Sequence, residues 1–165
     1  MIDQLNEIRG WIQQAAFVAL WILCWWKGRA PERLCSTAIV AMIALDYLYH
    51  ALSPERIYHT VDLGHLLLDA GVLAAFGYTA VRANRMYPIW LLAAQIVAIS
   101  MHFQRLVSPS IDPLAYAILN RAPSYLQLAV LAIGLVAHVR REKRHGPYRS
   151  WRESSPRSSA NAKRS

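Results

Sequence analysis

Two Asp–His pairs at helical spacing are the residues of this chain best suited to chemistry. Asp46 precedes His50 by four residues, and after one short connection His65 precedes Asp69 by four residues. The pairs are symmetric about the connection, so an antiparallel hairpin would bring the two Asp to one level and the two His to another, about 6 Å apart. Two level carboxylates in a low dielectric need a shared proton, a protein cation or a bound metal.

The same residue types suit three roles, and the sequence leaves all three open. Asp and His four apart can satisfy each other in a hydrogen-bonded network that only stabilises the bundle. Imidazole and carboxylate also bind divalent transition metals such as Zn, Mn or Fe. The candidate metal ligands are Asp46, His50, His65, Asp69 and His102. A haem held between His65 and His102 is the alternative cofactor, and a proton or ion path is the third role.

Hydrolase and nucleotide chemistry are not indicated. The sequence has no Gly-rich phosphate loop, no HExxH motif and no nucleophilic Ser motif. We therefore expect a non-enzymatic accessory, sensory or assembly component with a buried Asp/His cluster in the outward half of a bundle. The alternatives are a metal- or haem-binding subunit and an oligomeric proton- or ion-conducting protein. Conduction would require an oligomer, because five spans without an inverted repeat are few for a transporter.

These residues lie in apolar stretches that are long enough to cross a bilayer. The chain has 165 residues, of which 55% are hydrophobic, and a spanning helix needs about 20. We predict an all-α polytopic integral membrane protein with five transmembrane helices, at Gly10–Trp26, Leu34–Leu52, Thr60–Val81, Ile89–Val107 and Tyr125–Val139. Asp112–Asn120 is too short to cross, and the polar residues and Pro123 after it predict a break. It is therefore expected to be a short interfacial helix.

The third span is predicted to be the centre of the bundle. Asp62, His65 and Asp69 fall on one stripe of this helix, and ionisable groups at membrane depth normally face the inside of a bundle. Gly71 and Ala75 fall on the opposite side, where small residues permit close helix packing. We expect His65 and Asp69 to be at the middle of one cluster.

Charge is segregated along the chain and predicts its orientation. Of the 18 Lys and Arg, fourteen follow the first, third and fifth spans and four lie elsewhere. Because basic loops remain cytoplasmic, we predict an outside N-terminus and a cytoplasmic C-terminus, in a bacterial inner (plasma) membrane. The two parts would be a membrane-embedded bundle, residues 1–139, and a basic, disordered cytoplasmic tail, residues 140–165.

The expected partners follow from the same charge distribution. They are the lipid bilayer, anionic lipid headgroups at the tail, and a second copy of the chain or a larger membrane complex. Nucleic acid is not expected despite the net charge of +8, because no basic stripe with stacking aromatics recurs through the body. Cys24 and Cys35 flank the first basic loop and are expected to be reduced, since that loop would face the reducing cytoplasm.

Overall fold

The computed structural model describes the backbone of residues 2–52, 63–107 and 113–152, and the side chains of residues 8–52, 64–102 and 121–152. Within these ranges the fold is all-helical, with no strand beyond an isolated bridge between Ala83 and Trp151. The helices are α1 (Ile2–Lys27), α2 (Ala30–Leu52), α3 (Leu63–Arg82), α4 (Tyr87–Val107) and α5 (Pro113–His145).

Three helices, α2, α3 and α5, contain segments that are long and apolar enough to cross a membrane. The apolar part of α4 within the described residues, Tyr87–His102, is shorter. The described part of the chain thus contains three candidate membrane spans by length and composition, whereas the count of five spans stays a prediction. Asp62, which we predicted to share a stripe with His65, lies outside the described residues.

The predicted break before the last span is wrong. Pro123 is buried inside α5, which runs without interruption from Pro113 to His145, so residues 113–120 are not a separate interfacial helix. Proline deprives a helix of one backbone hydrogen bond. One turn of α5 beside it is supported by Ser124, whose hydroxyl donates to the carbonyl of Arg121 at 2.8 Å. This hydrogen bond does not replace the missing one, whose acceptor would be the carbonyl of Leu119, so the packing of the buried proline in the bundle accounts for the continuity of α5.

The helices form a closed bundle around one apolar core. Each helix packs against the next in sequence, and α5 returns to contact α1 and α2. The core at mid-bundle is formed by Phe17, Leu20, Ile39, Val72, Phe76, Leu91, Leu131 and Leu135. We call the end of the bundle with residues 28–29, residues 83–86 and the C-terminus of α5 the basic end, and the opposite end the far end.

Close helix packing occurs at a different glycine from the one predicted. Gly71 is exposed, and a Cβ built there would have no neighbour within 4 Å. α3 instead buries the face that carries Val72 and Phe76. At Gly134 of α5 a Cβ would lie 2.6 Å from Cγ of Tyr87, so this glycine permits the approach of α4. The small-residue face predicted on α3 is therefore wrong at Gly71.

The chain after Val139 begins as folded structure. Six further residues continue α5 to His145. The chain then turns back, and the amide of Asn84 donates to the carbonyl of Ser150 at 3.2 Å while the amide of Arg152 donates to the carbonyl of Arg82 at 2.8 Å. The first half of the predicted tail thus packs on the basic end. Residues 153–165 lie outside the described residues, and their disorder stays a prediction.

Candidate functional site

Two histidines and one aspartate converge near the far end of the α2–α3 hairpin. Oδ1 of Asp46 lies 2.7 Å from Nε2 of His65 and 3.7 Å from Nε2 of His50. One ligand atom from each of the three residues lies within 4.8 Å of the others. We call these three residues the Asp46 triad. Asp46 and His50 share a face of α2 because they are four residues apart, and His65 comes from α3.

A glycine and a tyrosine bring the two helices together at this level. A Cβ at Gly64 would lie 2.5 Å from Cζ of Tyr49, so only glycine permits the tyrosine ring to pack on the backbone of α3. The Tyr49 ring meets both imidazoles edge-on, with centroid distances of 5.7 Å to His50 and 5.5 Å to His65. The imidazole centroids are 5.1 Å apart. Ring packing therefore restricts the orientation of both histidines.

The triad has the dimensions of a coordination site. Bonds of about 2.0–2.1 Å in a tetrahedral shell separate neighbouring donor atoms by roughly 3.3 Å. The distances of 2.7 and 3.7 Å from Asp46 Oδ1 lie on either side of that value. This oxygen is shielded from solvent and has no aligned hydrogen-bond donor among the described residues. A metal ion bound here would replace the close contact between Asp46 Oδ1 and His65 Nε2 with bonds to both atoms.

A second polar group, one turn away on α3, is fully hydrogen-bonded. Asp69 accepts a hydrogen bond from Nε2 of Gln95 at 2.7 Å, and its other oxygen lies 2.6 Å from Nε2 of His102. Gln127 Nε2 donates to Gln95 Oε1 at 2.7 Å. Both glutamines are buried. This chain of contacts, which we call the Asp69 network, joins α3, α4 and α5.

The structure divides the predicted cluster between these two groups. The histidines of the hairpin are adjacent, and Asp46 and Asp69 each contact an imidazole from a different helix, that of His65 and that of His102. Nε2 of His65 and Nε2 of His102, the pair predicted as alternative haem ligands, face different carboxylates. Gln95 and Gln127 were recognisable in the sequence only as polar interruptions of apolar helices. Their partners lie on other helices.

The basic end has its own buried charges, which the sequence did not indicate. Glu32 and Arg85 form an ion pair with side-chain exposures of 0% and 5%. Arg29 and Glu142 form a second, half-exposed pair. Burial lowers the pKa of the Arg85 guanidinium from its usual value, since burial penalises the charged form. The first pair joins α2 to the connection between α3 and α4, and the second joins the connection between α1 and α2 to α5.

The apolar core separates the charged groups at the two ends. Within the described part of the chain, the Asp69 network reaches as far as Gln127 on α5. One turn further along α5 is Leu131, which is packed with Phe76 and Leu91. A continuous polar path through the bundle is therefore not formed by the described residues.

Comparisons with protein-family models, with curated proteins and with solved structures find no match to this chain. Its function is therefore inferred from the geometry of the far end and the basic end.

Proposed function

We propose that this protein is a non-enzymatic membrane component that binds a divalent transition metal ion through Asp46, His50 and His65. The observation that carries the proposal is the convergence of three metal-ligand atoms within 4.8 Å of one another at the α2–α3 hairpin. Two imidazoles and one carboxylate suit Zn, Mn or Fe. Neutral imidazoles with one carboxylate compensate half the charge of a divalent ion, and a three-residue ligand set of this kind is typical of sites that take a fourth, non-protein ligand.

The contrast between the two polar groups favours metal binding at the triad and a structural role for the Asp69 network. Both oxygens of Asp69 have partners at 2.6–2.7 Å, as expected for a network that stabilises the bundle. Asp46 Oδ1 is buried without an aligned donor, and a bound cation would satisfy it. The apolar core between the two ends disfavours the proton-conducting alternative for a single chain.

Metal binding by purified full-length protein tests this proposal. Chelator-treated protein in detergent is titrated with Zn²⁺ and with Mn²⁺, and bound metal is measured by calorimetry and elemental analysis. We expect one ion per chain, and Asp46→Ala or His65→Ala should weaken binding by at least about 100-fold, because each removes a direct ligand. Asp69→Asn and His145→Ala are the matched controls, since neither changes the triad.

The outcome separates the interpretations clearly. Equal binding by the Asp46→Ala variant and the unchanged protein would overturn the triad as the site. Loss of binding in Asp69→Asn alone would move the site to the Asp69 network.

We further propose that the chain lies in a bacterial inner membrane with its N-terminus outside and its C-terminus in the cytoplasm. The basic loops and the folded segment 146–152 share one end of the bundle, which accords with the retention of positive charge on the cytoplasmic side. Reporter fusions after Arg29, Arg85 and Arg152 should report from inside, and fusions after Arg56 and Ser110 from outside. A C-terminal reporter that is active outside would reverse the assignment, and with it the location of the triad.

A further inference from the structure

The basic end has a large excess of positive charge that its own carboxylates do not neutralise. Residues 27–33, 82–86 and 140–152 contain eleven Lys and Arg but only two Glu. Glu32 is already paired with Arg85, and Glu142 with Arg29. These segments therefore contain nine more basic than acidic residues, and both of their carboxylates are already engaged. An anionic ligand would be attracted to this end of the bundle.

An open cleft of about 480 Å³ lies within this positive region. Its lining includes Lys27, Arg29, Arg33 and Ser150, with Glu142 beside Arg29. The cleft therefore presents two cations that are not paired with Glu142, those of Lys27 and Arg33, and one hydroxyl donor, that of Ser150.

Tryptophans place the cleft at the depth of lipid headgroups. The ammonium of Lys27 lies 4.2 Å from the ring centroid of Trp26, and the guanidinium of Arg33 lies 5.4 Å from the ring centroid of Trp25. Both indoles are exposed on the outside of α1. Exposed Trp at the end of a membrane helix marks the interface, where the phosphates of the bilayer lie.

We propose that this cleft binds a phosphate group, and that the phosphodiester of an anionic lipid headgroup is its source. Arg33 and Lys27 would donate to the phosphate oxygens, as guanidinium and ammonium groups do in phosphate sites. The Ser150 hydroxyl would donate from the folded segment, while Glu142 keeps Arg29 in place. Basic pockets between membrane helices recognise anionic headgroups by this combination of charge and depth. The inference does not depend on metal binding at the far end.

Lipid retention by the full-length protein tests the site. The protein is incubated in detergent with a mixture of phosphatidylglycerol and phosphatidylcholine, and bound lipid is measured by native mass spectrometry. We expect one phosphatidylglycerol per chain in preference to phosphatidylcholine. The double substitution Lys27→Gln with Arg33→Gln should reduce retention about 30-fold, because each charge removed is expected to weaken binding about fivefold and the two factors multiply.

The matched control is Arg140→Gln with Arg144→Gln. This variant removes the same charge from exposed positions at the same end that do not line the cleft, and it should retain the lipid within about threefold of the unchanged protein. Lys27→Gln alone changes an exposed side chain and should show about a fivefold loss even if the double variant folds poorly. Thermal unfolding of each variant verifies the fold.

Two results would overturn the proposal. Equal losses in the cleft variant and the control variant would show general attraction to the basic end, and no site. Displacement of the lipid by inorganic phosphate at equal concentration would show that the cleft does not select a lipid. Preferential retention of phosphatidylglycerol that is lost only in the cleft variants would support both the site and its ligand.

Discussion

The buried ion pair at the basic end makes a sharp prediction about stability. Glu32→Gln would leave the Arg85 guanidinium charged and without its counter-charge, in a position where only 5% of that side chain is exposed. Removal of one partner of a buried pair costs about 3–5 kcal/mol, because the remaining charge stays desolvated. That loss corresponds to a change of about 10²- to 10⁴-fold in the unfolding equilibrium. Glutamine can still accept the hydrogen bond that Glu32 accepts from the Arg29 amide, so the charge is the main loss.

Unfolding in mixed micelles, followed by circular dichroism, measures this effect. The control is Glu142→Gln, which makes the same chemical change in the half-exposed pair with Arg29 and should shift the unfolding midpoint far less. Combining Glu32→Gln with Arg85→Met removes both charges and should recover most of the lost stability, since apolar replacement of a buried pair is often neutral. Equal effects of the two Glu→Gln substitutions, or no recovery in the double variant, would refute the electrostatic explanation.

Three further predictions follow from the bundle itself. Asp69→Asn should change the unfolding free energy little, whereas Asp69→Leu should lower it by about 1–3 kcal/mol, because leucine removes both hydrogen-bond acceptors. Identical unfolding midpoints for the two variants would contradict a stabilising role of the Asp69 network. Gly134→Ala should lower the unfolding midpoint, since its Cβ would lie 2.6 Å from a neighbouring ring, whereas Gly71→Ala meets nothing within 4 Å and should not. Cys24 and Cys35 are free and fully buried, so both should resist an impermeant maleimide on intact cells until the protein is unfolded; rapid labelling would argue against their burial.

The far end shows how spacing along one helix predicted part of a site. Asp46 and His50 share a face of α2 because of the helical period, and a short hairpin brings His65 opposite them. His102 was among the residues predicted to lie near Asp69, but spacing along one helix could not show that these two residues pair, nor that Gln95 joins them. His102 and Gln95 come from α4, and the rotation of α4 about its axis depends on how its whole apolar face packs.

Proline and glycine show the same limit. Pro123 predicted a helix end, yet α5 continues through it, with the proline buried against neighbouring helices. Gly71 predicted a close helix contact, whereas the contact formed at Gly134 because the Tyr87 ring occupies that position. Proline disfavours a helix interior and glycine permits close packing, but tertiary packing decides whether a given proline ends a helix and which glycine lies at a contact.

The sequence by itself determined the helical class, the presence of apolar helices long enough to span a membrane, and the charge asymmetry. Apolar length and basic loops are local properties that survive in any packing. Tertiary structure alone decided which charges meet. Glu32 and Arg85, like Arg29 and Glu142, are far apart in the chain and are joined only when the bundle closes. Burying a charge without a partner is costly, so the packed bundle selects the few arrangements that pair its charges. The pattern of one helix does not contain that information.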